Sequence, residues 1–102
     1  MRLLSENAAR ILAEFLRYPD TPRYGYELMR DSGIKSGSLY PVLGRFEKLE
    51  WITGTMEPSV DGRPPRRVYR VNPDGVASAQ QALDRYFEEK QIAAPESLNW
   101  GF

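Results

Sequence analysis

The sequence predicts a mainly α-helical chain with one small β-hairpin: three helices, a two-stranded ribbon, then one more helix. Two patterns carry that expectation. Apolar residues recur at three- and four-residue spacing in four stretches, as helices with one buried face require, and two alternating runs flank a loop rich in Gly and Pro, as a hairpin requires. At 102 residues, 41% hydrophobic and 27% charged, the chain has the composition of one globular unit with a modest core.

The first helix runs from Ser5 to Arg17, with Ala8, Ile11, Leu12, Phe15 and Leu16 as its stripe and Ser5 as its N-cap. Pro19 disfavours helical geometry at Tyr18 and ends it. Tyr24 to Arg30 forms a short second helix, with Tyr24, Leu28 and Met29 inward and Ser32-Gly33 closing it. A third helix starts at Lys35 or Ser36 and runs to about Trp51. At about 100° per residue, Leu39, Val42, Leu43, Phe46 and Leu49 share one side, while Ser38, Pro41, Gly44, Arg45 and Lys48 share the other. Ile52 to Met56 and Arg66 to Val71 are the ribbon strands. Asn72 caps the last helix, Pro73 takes its first position, and Val76, Ala79, Leu83, Tyr86 and Phe87 form its stripe, which Pro95 terminates. This order is that of a winged helix-turn-helix with an appended helix, the third helix being the reader of the major groove.

The chain has no cysteine and no histidine, which removes disulfides, thiolate nucleophiles, the usual zinc ligands and the commonest general base. No enzyme activity, metal or cofactor is expected. No apolar run approaches the roughly 20 residues of a membrane span, and Met1-Arg2-Leu3-Leu4 leads directly into polar residues, so a soluble cytoplasmic protein without membrane partners is expected. Net charge is zero, yet its distribution is uneven: cations outnumber acids by nine to six from residue 23 to 70 and are outnumbered five to two from residue 71 onward. The basic part is the helix-turn-helix and ribbon.

Binding to duplex DNA needs donors aimed at phosphates on something slim enough to enter a groove. Lys35, Ser36, Ser38, Arg45 and Lys48 supply donors on the third helix, and Gly37, Pro41 and Gly44 keep its surface low; the same features also describe an ordinary solvated face. The loop Gly62-Arg63-Pro64-Pro65-Arg66-Arg67 is more specific. Its prolines stiffen it, and its three arginines crowd together with no nearby acid in the loop beyond Asp61, so a polyanion would relieve their repulsion. A rigid arginine loop also suits a minor groove.

Three segments, Tyr24-Gly25-Tyr26-Glu27-Leu28, Gly37-Ser38-Leu39-Tyr40-Pro41-Val42-Leu43 and Gly62-Arg63-Pro64-Pro65-Arg66-Arg67-Val68-Tyr69-Arg70, together resemble the PadR family of transcriptional regulators in order and spacing. The resemblance covers roughly residues 8 to 90 and the short-tailed type. It implies a homodimeric, usually repressing protein that binds double-stranded DNA, with Ser38 and Tyr40 on the DNA backbone and the Arg63 loop as the wing. It also implies that the last helix is a dimer interface through Val76, Ala79, Leu83, Tyr86 and Phe87, although that stripe would equally pack on the chain's own first helix. Tyr24 and Tyr40 are read either as phosphate contacts or as packing residues with surface hydroxyls. The position before Ser36-Gly37 often holds a capping Ser or Thr in the family; here it is Lys35, which shifts the expected cap to Ser36. The expected division is residues 1–72 for the DNA-binding domain, 73–94 for the dimerisation helix and 95–102 for a tail. A small-molecule effector is left open, with Phe15, Tyr86, Phe87 and Trp100 as aromatic residues for such a space. The competing reading is a winged-helix module that binds protein and not DNA.

Overall fold

The computed structural model describes residues 4–90. Helix α1 (Glu6–Arg17) begins where expected, because the Ser5 hydroxyl accepts the Ala8 N–H at 3.1 Å. Strand β1 (Arg23–Tyr24) follows and leads directly into α2 (Gly25–Ser32), which Gly33 closes in the left-handed region at φ 74°, its N–H returning to the Met29 carbonyl at 2.9 Å. Helix α3 (Ser36–Lys48) precedes β2 (Ile52–Glu57) and β3 (Arg66–Val71). A single 3-10 turn, Pro73–Gly75, then feeds α4 (Val76–Lys90).

Several boundaries differ from the sequence expectation for identifiable reasons. Tyr24 is not an inward helical residue: it is extended, half-buried and paired with Val68, which makes the ribbon a three-stranded antiparallel sheet in the order β1-β3-β2. Helix α3 stops three residues short of Trp51 because Glu50 turns to φ 62°, and Leu49, beyond the last helical residue, is 38% exposed. Its cap does not move to Ser36, which lies within the helix; Lys35 holds the N-cap position without a side-chain cap bond. Asn72 does not cap α4 with its side chain, which instead donates to the Glu50 carbonyl at 2.8 Å and accepts from the Thr53 hydroxyl at 2.5 Å. Beside it, a Cβ on Gly75 would lie 2.6 Å from the same Glu50 carbonyl oxygen, so glycine permits the start of α4 to lie against the turn between α3 and β2.

One core unites these elements. Ile11, Leu12 and Phe15 of α1, Leu28 of α2, Leu39, Leu43 and Phe46 of α3, Ile52 and Tyr69 of the sheet, and Ala79, Leu83 and Tyr86 of α4 all belong to it. Burying a large apolar side chain contributes about 1.5–3 kcal/mol, so α4 is an integral part of the folded unit and no mere appendage. Arg23 is buried beneath the sheet edge, its side chain 7% exposed, and ties three elements together: it donates to the Glu14 carbonyl of α1 at 3.0 Å and to Asp31 of α2 at 2.8 Å. No helix among the described residues is long and apolar enough to cross a membrane.

Candidate nucleic-acid interface

The candidate surface begins with the side of α3 that the core leaves over. Ser36, Ser38, Tyr40, Pro41, Arg45 and Lys48 are all exposed, as is Lys35 just ahead of them, and Gly44 is half-buried. The first turn of α3 holds no acid, so the positive end of the helix dipole and Lys35 together suit a phosphate. Tyr40 is 43% exposed, and its hydroxyl lies over the start of α2: a Cβ on Gly25 would collide with it. Gly25 therefore leaves the space that the end of the Tyr40 side chain occupies.

The wing is the β2–β3 hairpin. Residues 58–65 form its loop, where Gly62 at φ 76° and Asp61 at φ 53° make the sharp turn and the Val60 carbonyl accepts the Arg63 N–H at 3.0 Å. Arg63 is exposed at this tip. The expectation that the three loop arginines lack acids beyond Asp61 does not hold in three dimensions. Hairpin register places Glu57 directly opposite Arg66, and the two form an ion pair at 2.9 Å. Arg67 pairs with Glu47 of α3 at 3.0 Å and lies 5.7 Å from the centre of the Tyr69 ring. Gly54, across the sheet, leaves the room that the Arg67 side chain and Tyr69 ring occupy. Arg67 thus fastens the wing to α3, while Arg63 has no ion-pair partner among the described residues.

Tyr24 joins the wing from the other edge. Its hydroxyl donates to Glu57 at 2.6 Å, its ring lies 4.3 Å beneath the Arg66 guanidinium, and Tyr26 stacks on it at 5.8 Å. Donation by Tyr24 and Arg66 holds the Glu57 carboxyl below the usual carboxylate range, and the same bond to Glu57 raises the Tyr24 hydroxyl above its ordinary value. Glu47 and Glu57 are the residues the sequence reading passed over. The signal for Glu57 lay in counting the hairpin back from its loop.

Away from this surface, the stripe on α4 is largely used within the chain: Ala79, Leu83 and Tyr86 are buried, whereas Val76 and Phe87 stay half-exposed. Phe15 is buried too and Trp100 lies outside the described residues, as do residues 91–94 of the expected helix and the tail 95–102. An apolar cleft of about 350 Å³ between Leu16, Pro19, Val71 and Val76 is bordered by none of Phe15, Tyr86 and Phe87, the three described aromatic residues expected around an effector.

Comparison with known proteins agrees with this geometry. Residues 16–81 match the model of the transcriptional regulator PadR-like family. Among solved structures, a Streptococcus transcriptional regulator is similar at 30% identity over 81% of this chain and 87% of its own, with TM-score 0.56. A PadR-like transcription factor from Bacteroides fragilis shares the fold at 19% identity, covering 83% of this chain and 86% of its own, with TM-score 0.64. A PadR family regulator from Eggerthella lenta does so at 22% identity over 83% of this chain and 79% of its own, also with TM-score 0.64. No curated protein sequence matches the chain. With the family model spanning well over half of its length, and α3 and the wing disposed as two basic prongs, the chain belongs to the PadR-like family of transcriptional regulators, DNA-binding proteins and not enzymes.

Proposed function

We propose that the chain is a sequence-specific repressor that binds a palindromic operator in double-stranded DNA as a homodimer. The observation that carries this reading is that α3 and the wing present exposed donors side by side, with the Arg67–Glu47 pair bridging the two. Two donor-bearing prongs held at a set separation fit adjacent grooves of one duplex. In this reading α3 enters the major groove, with Ser38 and Tyr40 on the backbone and Arg45 and Lys48 further along the helix. Arg63 enters the minor groove from the wing tip, and Lys35, Ser36, Pro41, Tyr24 and Arg66 border the phosphates.

A single α3 spans only half of such a site, so a two-fold pair of chains supplies the second half. The family resemblance supports pairing through α4, and Val76 and Phe87 are the members of its stripe left at the surface. A dimer occupying promoter DNA represses by exclusion.

Arg63→Ala tests the wing. Its guanidinium makes no ion pair among the described residues and acts on Glu57 only through space, so the variant should nearly keep its melting temperature, bind every duplex more weakly, and flatten the slope of log K against log salt by about 0.9 for one lost cation. Unchanged affinity and slope in a fluorescence-anisotropy titration would remove the wing from the interface.

A further inference from the structure

Glu57 lies among residues that the DNA-binding reading assigns to phosphate, and it carries the wrong charge for a surface facing a polyanion. It closes β2 opposite Arg66, the first residue of β3. One carboxylate oxygen accepts from the Arg66 guanidinium at 2.9 Å and the other from the Tyr24 hydroxyl at 2.6 Å. Both donors are themselves held: the guanidinium lies over the Tyr24 ring at 4.3 Å, and that ring is stacked on Tyr26. A fixed cation and a fixed hydroxyl, each donating to one oxygen of the same anion, are the means by which proteins grip the two free oxygens of a backbone phosphate. Here the anion is the chain's own.

We infer that Glu57 is an intramolecular competitor of DNA: its carboxylate occupies, between Tyr24 and Arg66, the place a backbone phosphate would take. The inference rests on the reading of this surface as a DNA interface. Its consequence is that a phosphate must displace Glu57 before it gains these two donors, so the chain binds duplex DNA more weakly than its count of cations implies. Cations alone supply nearly all of non-specific affinity, and the competitor lowers background occupancy of arbitrary DNA.

The test measures binding of the full chain to a duplex of arbitrary sequence over a range of salt, for wild type, Glu57→Ala, Glu57→Gln and Asp61→Asn, each with and without Arg66→Ala. Asp61→Asn removes the same charge from the wing without touching Tyr24 or Arg66 and so reports the general Coulomb effect. Glu57→Ala should tighten binding about tenfold, the order of one charge-assisted hydrogen bond freed for use on DNA, and steepen the salt slope by about 0.9. Arg66→Ala should then cost more affinity in the Glu57→Ala background than in wild type, a coupling absent with Asp61→Asn. Glu57→Gln, which keeps the side-chain shape, carries the same expectation with a smaller gain and decides the matter if the alanine variant melts early. Binding no tighter than with Asp61→Asn, or weaker than wild type, overturns the inference and leaves Glu57 as a brace for Arg66. A wild-type chain with no salt-dependent DNA binding overturns the DNA reading along with it.

Discussion

Tyr40 and Gly25 show how one side chain fills the space that a neighbouring glycine leaves on the candidate surface. The tyrosine hydroxyl occupies the space a side chain at residue 25 would need, so any larger residue there must push the exposed end of Tyr40 aside. Gly25→Ala should therefore destabilise the fold only mildly, by about 1 kcal/mol at most, the low end of overpacking costs, because the exposed Tyr40 side chain can shift and alanine has the better helix propensity. Tyr40→Phe removes the hydroxyl responsible for the worst contact, so the double variant should recover part of the lost stability in denaturant titrations. Equal losses in the two backgrounds would mean that the hydroxyl is not what residue 25 must avoid. The arginines teach a similar lesson. Arg63, Arg66 and Arg67 look alike within one loop sequence, but Arg66 leans on Tyr24 and Glu57, Arg67 braces α3, and Arg63 alone reaches outward unpaired among the described residues.

Among elements, the join between α1, β1 and α2 depends on charge as well as on packing. Buried Arg23 binds Asp31, which Arg30 also contacts at 3.0 Å, and Asp31 titrates below its ordinary value because Arg30 hydrogen-bonds it, with Arg23 adding to the effect against the opposing desolvation. A carboxyl with a depressed folded pKa binds its proton less readily folded than unfolded. Its contribution is thus complete above the unfolded value near 3.8 and is lost as pH falls through the lower folded value. Glu57 acts in the same direction. Thermal melts should show a nearly level melting temperature down to about pH 5 and a fall below about pH 4, and Asp31→Asn should lower the neutral value while making the acid fall shallower. A fall of unchanged size would place the acid sensitivity in other carboxylates. This join was also the least legible part of the sequence. Helix α1 and the β2–β3 hairpin announce themselves because Ser5 caps one and breakers separate the strands of the other. Strand β1 has two residues, too few for any alternation, and exists through its pairing with β3. Arg23 reads as a solvated cation until that pairing turns it inward. The candidate DNA surface was legible along α3, where helical periodicity separates Leu39 and Leu43 from Arg45 and Lys48. It was not legible at Glu47, whose partner lies 20 residues away in another element, and at Glu57 it could be reached only through the hairpin register that sets it opposite Arg66.

At the scale of the whole molecule, the proposed pairing of two chains is tested on α4. Leu83 is a poor probe of pairing, since it is 0% exposed within its own chain and an aspartate there would disrupt the core in monomer and dimer alike. Phe87 is the better probe: it is half-exposed, on the outer margin of the same stripe, and edge-on to Tyr86 at 5.6 Å. If α4 pairs two chains, Phe87→Asp desolvates a charge at the seam and should shift sedimentation from dimer to monomer while cooperative melting persists. Selection from random duplex DNA should then separate the two forms. Wild type should recover an inverted repeat whose half-sites are centred about 34–36 Å apart, the spacing that sets two recognition helices on one face of the duplex, whereas Phe87→Asp should recover one half-site at much lower affinity. A variant that stays dimeric and still selects the inverted repeat would move the pairing surface away from Phe87, and a wild-type selection that yields a lone half-site would remove the two-fold arrangement altogether.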